Sequence, residues 1–151
     1  MTITSVTSAT FIADTIILLR DKLLSNITDP LVATRNTNEK FVLTEYPRRA
    51  VTYPIITITD TGTRQESRLG MQSEATKLRV GVEIRIWARN VKERDELFDS
   101  IYDYLRQQQF GTSSLTDANL HDFGMGSVVN VSEENIKSKV MEVNFLYLCT
   151  W

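Results

Sequence analysis

The chain holds a single histidine, His121, in "TDANLHD", with Asp117 and Asp122 close by. An imidazole among carboxylates can hold a divalent cation or relay a proton. A metal site, however, usually needs three or four converging ligands. The trio therefore reads as a solvated loop, and a small enzyme using the His121 loop stays as an alternative. Cys149 is the only cysteine. A nucleophilic thiolate needs a base beside it, and none is local, so Cys149 reads as a buried structural thiol. It cannot form an internal disulfide, which is compatible with a reducing cytoplasm. The serines lack a G-x-S-x-G setting. "TGTRQESRLG" does not open a helix with Lys-Ser or Lys-Thr, so it is no phosphate loop. Glu93, Asp95, Glu96, Asp99 and Asp103 follow helical spacing and read as a solvated face. No catalytic residue, cofactor or metal site is expected.

Charge is distributed more suggestively. Arg48, Arg49, Arg64, Arg68, Lys77, Arg79, Arg85 and Arg89 fall in the strand-rich half, away from the acidic helix. This is either ordinary surface dipolarity or a pair of complementary surfaces for head-to-tail packing of identical subunits. Trp87 falls on the polar face of its strand. A tryptophan there needs a partner, supplied by an interface or by local packing.

The elements that must position these residues follow from periodicity. "TFIADTIILLRDKLLSNI" spaces Phe11, Ile12, Ile16, Leu19, Leu23 and Ile27 as an amphipathic helix. Ser8 or Thr10 can cap it, and Asp29-Pro30 stops it. Val32 to Lys40 is a polar connection. "FVLTEY" (Phe41–Tyr46) and "YPIITIT" (Tyr53–Thr59) read as strands. From Lys77 to Arg89 the chain alternates strictly: Leu78, Val80, Val82, Ile84, Ile86 and Ala88 line one face. That pattern means a strand buried on one side only. Asn90 with Glu93 is a capping-box signal for a second helix, and Gly111 marks its end. "GTSSLTDANLHDFGMG" is expected as a loop, "SVVNVS" as a strand and "EENIK" as a turn. "KVMEVNFLYLCTW" reads as a last strand with Met141, Val143, Phe145, Tyr147 and Cys149 on one face.

The predicted fold is α+β: a mostly antiparallel sheet with two helices packed on one face and a long loop between the central strands. That loop, Asp60 to Thr76, has only Leu69, Met71 and Ala75 as apolar content. With 151 residues, 42% hydrophobic and 24% charged, the chain fits a single globular domain, 1–151. A net charge of −2 gives no reason to expect specific or tight nucleic-acid binding. The N-terminal stretch has no basic n-region and is interrupted by Asp14, a poor signal peptide. No apolar run approaches membrane-spanning length, so a soluble intracellular protein is the expectation, with no membrane partner.

This order of elements resembles the tail terminator (tail completion) and head–tail joining proteins of long-tailed bacteriophages. The resemblance lies in "ATFIADTIILLRDKLL", in "YPIITITDTGTRQESRLGMQSEATKLRVGVEIRIWA", in "VKERDELFDSIYDYLRQQ" and in "KVMEVNFLYLCTW". It is a likeness of architecture over most of the chain, without a signature motif. It implies a non-enzymatic virion protein, assembled in the host cytoplasm and located at the head–tail interface. Such proteins form a ring, generally of six subunits, that caps the tail tube, ends its polymerisation and meets the head connector protein. The implied partners are further copies of this chain, the tube protein and the connector. Residues 60–76 would be a projecting arm, ordered on assembly, with Arg64, Glu66, Arg68, Glu74 and Trp87 as candidate interface residues. A monomeric adaptor that binds a peptide by strand addition is the other alternative.

Overall fold

The strict alternation after Lys77 becomes the middle of a sheet. The computed structural model describes residues 10–48, 51–69, 75–110, 120–132 and 135–150. Its elements are α1 (Phe11–Asn26), β1 (Val42–Leu43), β2 (Ile55–Leu69), β3 (Ala75–Ala88), α2 (Val91–Phe110), β4 (Leu120–Ser132) and β5 (Lys137–Thr150). The five strands form one open sheet in the order β1-β2-β3-β5-β4. β1 runs parallel to β2, and every other pairing is antiparallel. This is the α+β fold expected from the sequence.

Leu78, Val80, Val82, Ile84, Ile86 and Ala88 are all buried on β3, as the alternation requires. Their neighbours on β5 are Tyr147, Phe145, Val143 and Met141, paired one for one with Leu78, Val80, Val82 and Ile84. Leu18, Leu19 and Leu23 of α1 and Leu97, Ile101 and Leu105 of α2 join the same buried cluster. Each fully buried aliphatic side chain contributes about 1.5–3 kcal/mol relative to exposure. Tyr147 is completely buried, and its hydroxyl meets Thr15 Oγ1 of α1 at 3.0 Å. That bond ties the first helix to the last strand and gives the buried phenol a polar partner.

The helix ends follow local chemistry. Ile27 leaves the helical region at φ −104°, ψ 125° while its N–H still bonds to Leu23 at 2.9 Å. At the start of α2, Asn90 Oδ1 accepts the Glu93 N–H at 2.8 Å. The return arm of the expected capping box lands one residue earlier. Glu93 accepts the Arg89 backbone N–H at 3.4 Å and the Arg89 guanidinium at 2.9 Å. Gly111, the expected helix stop, and Ser8 lie outside the described residues. Thr10 makes no capping bond to the backbone; its hydroxyl donates to Asp14 at 2.7 Å instead.

Three expectations are corrected. Residues 60–76 are not a long loop. β2 continues to Leu69, β3 starts at Ala75, and those two residues are paired. The connection is at most residues 70–74, which lie outside the described residues. A polar segment can form strand because the ladder is made by backbone groups, which any non-proline side chain leaves free. The segment "FVLTEY" contributes only Val42–Leu43 as strand. The last part of the expected loop at 111–126 is also strand, since β4 begins at Leu120.

A single arginine organises the long connection from α1 to β2. Arg35 binds Asp29 through two nitrogens, at 2.6 and 3.1 Å. It also donates to the Thr52 carbonyl at 2.7 Å and the Pro54 carbonyl at 2.6 Å. Its side chain is 5% exposed and that of Asp29 14%. Burial pushes the Asp29 carboxyl up, but the Arg35 hydrogen bonds, the Leu31 N–H and the Arg35 charge outweigh it, so Asp29 lies below the ordinary carboxylate range. Five donors in a rigid fork suit this bracing of one carboxylate and two carbonyls.

Candidate functional site

The expected interface residues do not form one site. Arg64 stands opposite Arg79 on β3, and Arg68 opposite Thr76. Glu66 is the extra residue where the pairing shifts between Gln65 and Ser67. Glu74 lies outside the described residues. Trp87 pairs with Ile55, at the other end of the hairpin. Eight residues of β3 separate Trp87 from the position facing Arg64, about 26 Å at the rise of a strand.

Trp87 has its partners within the chain. Its Nε1 donates to Thr57 Oγ1 at 3.0 Å. Tyr46 tilts against it with ring centroids 4.9 Å apart, and the Arg85 guanidinium lies 4.9 Å from its ring centre. Tyr46 and Tyr53 share a hydroxyl hydrogen bond beside it. The local-packing reading of this tryptophan is therefore the one the structure supports. Thr57 and Tyr46 were not singled out from sequence, because only the β2–β3 register brings Thr57 next to Trp87.

The polar face of the sheet is organised in rows across the strands. One row is Arg64, Arg79, Leu146 and Asp122 on β2, β3, β5 and β4. The next is Gly62, Gly81, Asn144 and Gly124. Beyond it Glu83 faces Glu142, with the Arg85 guanidinium 3.7 Å from Glu83. Gly62, Gly81 and Asn144 of this row floor a shallow depression of about 480 Å³, walled by Thr61, Arg79 and Glu142. Gly62 has φ +144°, which side chains rarely adopt, and a Cβ on Gly81 would sit 2.5 Å from Thr61 Oγ1. Both glycines are thus explained by the irregularity of β2 at Asp60–Gly62. Gly124 is different. Its φ is not positive, and a Cβ there would meet no atom within 4 Å.

His121 is the extra residue of a similar irregularity in β4, between Leu120 and Asp122. Asp117 lies outside the described residues, and among the described residues no three metal-binding side chains converge. Cys149 stands opposite Thr76 at the end of β5, its side chain outside the described residues. On α2, Asp95 takes Arg94 at 3.0 Å and Lys139 at 3.2 Å, which together hold it below the ordinary carboxylate range.

The two sheet margins are the remaining candidate. β1 covers β2 only at Ile56 and Thr57. From Ile58 to Leu69, β2 has no strand neighbour on that side among the described residues, and neither does the outer side of β4. Thr59 to Gly62 and Gly126 to Asn130 are exposed. Rows of unpaired N–H and C=O groups are a template for another chain. Neither a protein-family model nor a curated protein sequence matches this chain. Among the described residues no helix is long and apolar enough to cross a membrane.

Proposed function

We propose that this chain is a structural subunit of a long-tailed bacteriophage virion. It acts as a tail terminator: copies associate into a ring, generally of six, that caps the tail tube, ends its polymerisation and offers a surface to the head connector. The reading rests on the resemblance in element order, and one structural observation supports it most directly. The sheet is open, and it ends on two long strand margins that the described residues leave bare. A subunit with two such edges suits repeated association with its own kind. The function requires no catalytic group and no cofactor. The site of action is the head–tail interface of the virion.

Electron microscopy of the purified 17.3 kDa chain, with sedimentation velocity, tests this reading. Rings, and tubes of uniform length when the chain is added to polymerising tube protein, are the expected result. A particle that stays monomeric at high concentration removes the ring reading. It moves the adaptor reading ahead, because the same bare edges can accept a peptide strand.

A further inference from the structure

We propose that neighbouring subunits join by pairing β4 of one copy with β2 of the next, so that the sheet continues across the contact. This rests on the ring reading and specifies its interface. Strand directions favour the pairing. β2 is antiparallel to β3, β3 to β5 and β5 to β4, so β2 and β4 run in opposite directions. A copy placed head to tail therefore presents β2 antiparallel to β4, the commoner geometry.

The outer strands also match in residue count over one stretch. The central pairing of β3 with β5 is uninterrupted from Ala75 to Ala88. The outer strands both carry irregularities, on opposite sides of the rows that contain Leu78 and Val82. β2 shifts register between Asp60 and Gly62 and between Gln65 and Ser67. β4 shifts between Met125 and Val128 and between Leu120 and Asp122. As a result, Asp60–Gln65 and Leu120–Met125 each use six residues to span the five from Leu78 to Val82. The extra residue is Thr61 at the Val82 end of β2 and His121 at the Leu78 end of β4, so Gly62–Arg64 and Asp122–Gly124 between them run level, residue for residue, and can keep a common ladder.

Level alignment then gives specific partners. Gln65 falls beside Leu120, Arg64 beside Asp122, Thr63 beside Phe123, Gly62 beside Gly124 and Asp60 beside Met125. Arg64 and Asp122, of opposite charge, share one register position, which is favourable for directly opposed strand residues. The row containing Gly62 and Gly124 leaves space for close backbone approach. That accounts for Gly124, for which nothing among the described residues of the subunit requires a glycine.

Charge reversal and cross-linking test the contact. Arg64→Glu and Asp122→Arg should each weaken association about tenfold by sedimentation, with an unchanged thermal transition, and the double variant should recover most of the loss. In a Cys149→Ser background, Arg64→Cys with Asp122→Cys should give a ladder of covalent oligomers on mild oxidation. Directly opposed strand positions lie within disulfide reach. Each single cysteine should stay monomeric under denaturing conditions. Covalent dimers from Arg64→Cys alone or Asp122→Cys alone would show a two-fold edge contact and overturn the proposal. Normal rings with no ladder and no rescue would overturn it while leaving the ring reading standing. The absence of any wild-type association would remove both.

Discussion

Replacing Arg35 with alanine tests whether the connection between α1 and β2 depends on one buried side chain. The wild-type guanidinium serves Asp29 and the carbonyls of Thr52 and Pro54. Thr52 is exposed, so water replaces its bond at little cost. Pro54 is buried, and its unsatisfied carbonyl costs about 1–3 kcal/mol. Asp29 loses the partner of a largely buried pair, a change that typically costs about 3–5 kcal/mol. Asp29 is only partly buried, so water solvates the unpaired anion and holds its share at or below the low end of that range. A total of about 3–4 kcal/mol follows, set against a typical domain stability of about 5–15 kcal/mol. For a chain of this size that lowers Tm on the order of 10 °C. Urea unfolding at pH 7 gives the free energy directly. The pH dependence supplies a second readout. The folded Asp29 carboxyl lies below its ordinary value of 3.8. Its contribution is therefore present above that value and is lost as the pH falls through the lower, folded one. Arg35→Ala should remove that part of the acid sensitivity, leaving a flatter stability profile below about pH 4. A loss under about 1 kcal/mol, with the wild-type acid profile intact, would refute the bracing role.

Val82 is completely buried between Asp60 and Val143, so Val82→Asp adds a carboxylate beside another carboxylate and should cost several kcal/mol; a cooperative thermal transition near the wild-type Tm would contradict the layout. Gly62→Ala forces a side chain onto φ +144° and should cost about 1–3 kcal/mol in urea unfolding. Trp87→Phe deletes the bond to Thr57 and should cost about 1 kcal/mol without changing sedimentation; weakened association in that variant would return Trp87 to the subunit interface. His121→Ala should leave ring formation and tube capping intact, and a loss of function with fold and assembly unaltered would move the enzyme reading ahead.

Sequence alone determined the elements whose side chains alternate against one core. Leu19 and Leu23, and the run from Leu78 to Ala88, are legible because burial on one side writes its period into neighbouring residues. Asn90 and Glu93 are legible because capping is a contact between near neighbours. The same logic made Asp60 to Thr76 look like a loop, since polar residues on both faces leave no period to read. Only tertiary pairing with β3 makes Arg64 to Leu69 a strand. The Trp87–Thr57 bond, the reach of Arg35 to Pro54 and the place of β5 between β3 and β4 were likewise decided in three dimensions. So was the common level of Gly62–Arg64 on β2 and Asp122–Gly124 on β4. Each joins positions far apart along the chain, and the relation exists only once β3 and β5 set a common scale between them.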